Sequence, residues 1–125
     1  MPHQLLLATR NKGKIEEFRR ILEAIAPGQI ELLGLDKFPE LHDVVEDGKT
    51  FQENALKKAR EMSLATGLPA IADDSGLCVD ALNGDPGIFS ARWAGSHGDD
   101  EANTAKVLTQ LLDVPDEKRS AHFTC

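Results

Sequence analysis

Asp73-Asp74-Ser75-Gly76 breaks an otherwise apolar stretch, standing between Ala70-Ile71-Ala72 and Leu77-Cys78-Val79. Two adjacent carboxylates at the end of a buried strand repel each other and lose hydration, so they call for a cation, a donor or a proton to take. Mg²⁺ is a hard cation that commonly uses one or two carboxylates together with substrate phosphates. Asp73 or Asp74, joined by an acidic side chain from the Glu40 to Glu46 loop, has the composition of such a site. The structural reading of the same residues is that Asp73 caps a turn and Asp74 pairs with a Lys or Arg. Gly76 serves the turn in both.

A second group is basic. Thr9-Arg10-Asn11-Lys12-Gly13-Lys14 follows the apolar run Leu5-Leu6-Leu7-Ala8 and precedes a helical pattern. Between Thr9 and Arg20, the five residues Arg10, Lys12, Lys14, Arg19 and Arg20 face only Glu16 and Glu17. A strand, a polar loop with a glycine and a helix start make an anion site, because unpaired N–H groups and the helix dipole both point at the loop. Thr9 and Asn11 can hydrogen-bond phosphate oxygens, and Lys12 and Lys14 add charge. The loop is neither a Walker A loop nor a dinucleotide fingerprint, and its structural reading is a solvated turn. Ser90-Ala91-Arg92-Trp93 either aims Arg92 at phosphate or packs it beside Trp93. His3, His42, His97 and His122 lack zinc-site spacing, and Cys78 reads as a core thiol.

The whole chain bounds these readings. Its 125 residues carry 14 Lys and Arg against 21 Asp and Glu, a net charge of −7. That excludes broad, sequence-blind binding to nucleic acid, whose phosphates would be repelled. With 41% hydrophobic and 28% charged residues the composition is that of an ordinary globular domain. Apolar runs reach only a few residues, short of a bilayer span, and the N-terminus lacks the features of a secretory signal. Two cysteines, Cys78 and Cys125, fit a reducing cytoplasm.

The elements that position these groups follow from periodicity. Gln4 to Ala8 predicts a buried strand, and Ile15, Phe18, Ile21, Leu22 and Ile25 predict a helix from about Lys14 to the Pro27-Gly28 stop. Ile30 to Leu33 predicts a second strand. Gly34 to Lys49 reads as a loop or distorted hairpin, with Val44-Val45 as a strand edge. Thr50-Phe51-Gln52-Glu53 matches a capping box, and the helix it opens runs to about Thr66 with Ala55, Ala59, Met62 and Thr66 on one face. Asp99 to Leu112 predicts a helix burying Val107, Leu108, Leu111 and Leu112. Ser120 to Cys125 alternates as a strand in which the chain stops. The expectation is a single α/β domain over 1–125, a mixed sheet flanked by helices, forming the N-terminal part of a longer protein.

Four separated segments together carry a family resemblance. Thr9-Arg10-Asn11-Lys12-Gly13-Lys14 with Glu17, Glu46-Asp47-Gly48-Lys49-Thr50-Phe51 with Glu53-Asn54-Ala55, Ala72-Asp73-Asp74-Ser75-Gly76-Leu77, and Pro86-Gly87 with Ser90-Ala91-Arg92 occur in the order of the inosine/xanthosine triphosphate pyrophosphatase family. The sequence resembles that family from about Leu5 to its last residue. The resemblance implies an elongated, two-lobed α/β fold, a homodimer, and Mg²⁺-dependent hydrolysis of dITP, ITP and XTP to the monophosphate and pyrophosphate. It implies that Thr9, Arg10, Asn11, Lys12, Gly13 and Lys14 hold the triphosphate, that Ser75 contacts substrate, and that Asp74 is proton acceptor and metal ligand. Glu46 is then the second metal ligand, with Glu40 the other candidate in its loop. Family members continue past Phe123-Thr124-Cys125 into segments that recognise the purine base, so these 125 residues are expected to contain the phosphate and metal half of the site. The other function class is a non-catalytic phosphate-binding or assembly module that keeps the fold.

Overall fold

The computed structural model describes residues 2–125. The chain divides into two compact units, Met1–Gly48 with Gln52–Asp73, and Lys49–Phe51 with Asp74–Cys125.

The first unit is built on strand β1, His3–Leu7, which pairs in parallel with β2, Ile30–Gly34, on one side and with β3, Ala70–Ile71, on the other. A central parallel strand is covered on both faces, which is why Leu5 to Ala8 is continuously apolar. Its side chains alternate between two cores. Leu6 and Ala8 pack with Leu35 and with Met62 of α2, Phe51–Thr66. Leu7 packs with Leu32 and with Ile15 of α1, Lys12–Ile25. Leu6 is completely buried, and Leu6→Ala is expected to cost about 2–5 kcal/mol. A urea midpoint little changed from that of the parent would show that the core closes over the space left behind.

The second unit holds an antiparallel pair, β4 at Gly76–Val79 and β5 at Ala121–Thr124, with Leu77 opposite Phe123 and Val79 opposite Ala121. Val79 packs against Val107 of α3, Asp100–Gln110, and against Leu111. Asp99 caps α3, accepting from the Ala102 N–H at 3.1 Å. The buried Asn103 fastens the preceding turn, accepting from Ala94 N–H at 2.7 Å and donating to the Ala91 carbonyl at 3.0 Å. The mixed α/β class therefore holds, with parallel and antiparallel pairings in separate sheets.

Three local expectations change, and the expected face of α2 holds with Asn54 added to it. The first helix begins at Lys12, two residues early, because Asn11 caps it. Val44-Val45 forms no strand edge: Val44 packs into the Leu6 core while Val45 is exposed. On α2 the fully buried residues are Asn54 and Met62, flanked by half-buried Ala55, Ala59 and Thr66. On α3 the seam is one residue wide, so Val107 and Leu111 face the core while Leu108 and Leu112, about 100° further round, are exposed. Phe123 is exposed as well.

Candidate active site

Chain order places β2 on one side of β1 and then β3 on the other, with α1 and α2 serving opposite faces. Such a reversal leaves a crevice outside the carboxyl ends of the two strands, where ligands of open α/β sheets bind. Thr9 to Lys14 lies just past the end of β1, and Asp73 just past the end of β3.

The loop is shaped by its own short polar side chains. Thr9 Oγ1 accepts from the Asn11 N–H at 3.1 Å, and Asn11 Oδ1 accepts from the Lys14 N–H at 3.1 Å. The cap uses the Asn11 carbonyl oxygen, so its amide nitrogen is the atom suited to a phosphate oxygen. Lys12 and Gly13 are exposed in the first turn. Lys14 Nζ donates to Asp73 Oδ2 at 2.9 Å, with the two side chains 31% and 19% exposed. Asp73 thus sets the direction of the ammonium, which retains further N–H donors for an anion. Arg10 turns the other way. Its guanidinium donates to Asp43 Oδ1 at 3.0 Å, the Leu35 carbonyl at 3.1 Å and the Leu41 carbonyl at 2.7 Å, tying the loop to the acidic segment.

Within that segment Glu40 is exposed, whereas the Glu46 side chain is only 16% exposed. Glu46 Oε1 lies 3.2 Å from Lys58 Nζ, itself only 16% exposed. Asp47 accepts from Lys57 Nζ at 2.7 Å, and that hydrogen bond and the ammonium charge hold its carboxyl below the usual carboxylate range. Sequence reasoning missed Lys58. Its signal was position: it follows Asn54 by one helical turn on the helix that the acidic loop leads into.

In the second unit, Asp74 is half-buried and Ser75 exposed immediately before β4. The backbone that follows is fixed by Ser90, whose Oγ donates to the Gly87 carbonyl at 2.6 Å and accepts from the Leu77 N–H at 2.9 Å. Arg92 lies over the Phe89 ring at 5.2 Å, while Trp93 instead carries Lys106 at 4.4 Å. Asp85-Pro86 is a cis peptide.

Among the described residues, no three His, Cys, Asp or Glu side chains gather into a metal cluster. Mg²⁺ does not require such a cluster, because it commonly takes one or two carboxylates and completes its shell with water and phosphate oxygens.

Residues 5–125 match the Ham1 family model. The chain belongs to the Ham1 family. This Ham1 chain is 62% identical over 122 residues to the dITP/XTP pyrophosphatase of Streptomyces coelicolor, a match covering 98% of this chain and 60% of that relative. A crystal structure of the nucleoside-triphosphatase / dITP/XTP pyrophosphatase from Mycobacterium abscessus superimposes with a TM-score of 0.77 at 53% identity, covering 96% of this chain and 60% of the other. A HAM1 protein structure from Coxiella burnetii gives 0.81 at 41% identity, covering 97% and 59%. The resemblance read from the four motifs is borne out. The Ham1 chain spans about three-fifths of the length of these relatives.

Proposed function

We propose that the chain supplies the phosphate- and metal-binding part of a hydrolase that converts dITP, ITP and XTP to the monophosphate and pyrophosphate, removing them from the nucleotide pool. The observation that carries this is the ion pair of Lys14 with Asp73, which joins the Thr9 to Lys14 loop to the residues just past β3. The names of the relatives supply the substrate class.

The residues take the following parts. First-turn amides at Lys12 and Gly13, the Thr9 hydroxyl, the Asn11 amide and the Lys12 and Lys14 ammonium groups neutralise and orient the triphosphate. Arg10 holds the acidic segment against this loop through its bonds to residues 35, 41 and 43. Ser75 adds a hydrogen bond to substrate. Glu46 and Asp74 are the protein ligands of Mg²⁺, which when bound offsets phosphate charge and lowers the pKa of water. Asp74 accepts the proton of the attacking water as the new P–O bond forms; the α–β phosphoanhydride breaks, and pyrophosphate leaves with the electron pair. The protein works as a cytoplasmic homodimer, without nucleic acid as partner. No helix among the described residues is long and apolar enough to cross a membrane.

Magnesium-dependent release of pyrophosphate from dITP, compared with dATP, is the direct assay. Tight triphosphate binding with no release would instead identify a phosphate-binding module. Lys14→Ala is expected to remove a charge-assisted bond of about 1.5–3 kcal/mol, so that triphosphate binding weakens about 10- to 100-fold. Equal binding by parent and variant at moderate salt would take Lys14 out of the site.

A further inference from the structure

Residues 43–48 have no ladder or helix of their own, so the position of Glu46 depends on what grips the segment from outside. Much of that grip comes from one face of α2. Asn54 is completely buried, and its Oδ1 accepts from the Gly48 N–H at 2.7 Å. One turn on, Lys58 lies 3.2 Å from Glu46. Gly48 is pressed so close to the helix that a Cβ there would come 2.6 Å from Asn54 Oδ1 and 2.8 Å from Glu53 Cβ.

The choice of residue is informative. Met62, the other fully buried residue of α2, is apolar, as a core position favours. Asn54 instead buries a side-chain amide nitrogen for which the described residues offer no acceptor. That orphan donor carries a desolvation cost, which a Leu of similar size would avoid. What Asn offers in return is the bond to Gly48, two residues from Glu46.

We propose that Asn54 is a positioning residue for Glu46: its buried carbonyl fixes the Gly48 backbone and so sets the direction from which the Glu46 carboxylate meets the metal. This rests on the reading of Glu46 as a Mg²⁺ ligand. Outer groups that orient a ligating carboxylate typically contribute 10- to 100-fold in metal affinity.

Calorimetric Mg²⁺ titration of the full protein tests this, with Asn54→Leu, Gly48→Ala and Glu46→Gln beside the parent, together with melting and amide hydrogen exchange over residues 44–50. Asn54→Leu is expected to melt close to the parent, to exchange the Gly48 amide faster, and to bind Mg²⁺ about 10-fold more weakly. Gly48→Ala reaches the same contact from the other side and should weaken Mg²⁺ similarly, which keeps the test decisive where Asn54→Leu does not fold. If Glu46→Gln weakens Mg²⁺ while both other variants bind as the parent does, the positioning role is overturned and the ligand reading stands. If Glu46→Gln binds Mg²⁺ like the parent, the ligand reading fails and the proposal falls with it, whatever happens at Gly48.

Discussion

Asp74→Asn is expected to lower turnover of dITP by about 10²- to 10⁴-fold, the range contributed by a positioned general base. The substitution preserves the size of the side chain and much of its hydrogen-bonding capacity, but removes the charge that a proton acceptor and a Mg²⁺ ligand both need. Melting within a few degrees of the parent would show that chemistry, rather than folding, was lost. Asp73→Asn is the informative neighbour, because Asp73 is the carboxylate that holds Lys14 at 2.9 Å. Its loss should act mainly on triphosphate binding, raising KM more than it lowers kcat. Magnesium-dependent turnover that survives Asp74→Asn and collapses with Asp73→Asn would exchange the two roles.

Gly76→Ala is expected to destabilise the fold by about 3 kcal/mol or more, at or above the usual upper range for overpacking. A methyl at this position would run into the Gly87 carbonyl oxygen and lie 2.8 Å from Ser90 Oγ. Neither neighbour can yield cheaply. The Gly87 carbonyl is backbone and already accepts from Ser90, while Ser90 also receives the Leu77 N–H. On its other side, β4 is paired from Gly76 to Thr124 in the ladder with β5. Gly76 is therefore required by close approach, and denaturant unfolding of the parent and variant measures the cost. A difference within about 0.5 kcal/mol, typical of surface substitutions, would mean that the Pro86-to-Arg92 turn moves freely away from β4.

Much of this protein was legible in its sequence because the signals were local. The apolar run Leu5 to Ala8 followed by Thr9 to Lys14 marks a strand, loop and helix, and it folds as β1 and α1. The second helix, expected to run to about Thr66, ends there. The motif residues and their order were enough to reach the family. Tertiary structure alone decided what those residues face. Whether Leu108 and Leu112 are buried depends on how wide a stripe of α3 has a neighbour, which no periodicity contains. That Lys14 meets Asp73, 59 positions away, depends on β1 and β3 lying side by side in a parallel sheet. That Arg10 binds the acidic segment, that Glu46 rather than Glu40 is drawn inward, and that Asn54 grips Gly48 are likewise long-range choices. A sequence fixes the chemistry and local geometry of each group, but burial and partnership between distant groups are settled only when the strands close their ladder and expel water from between the elements.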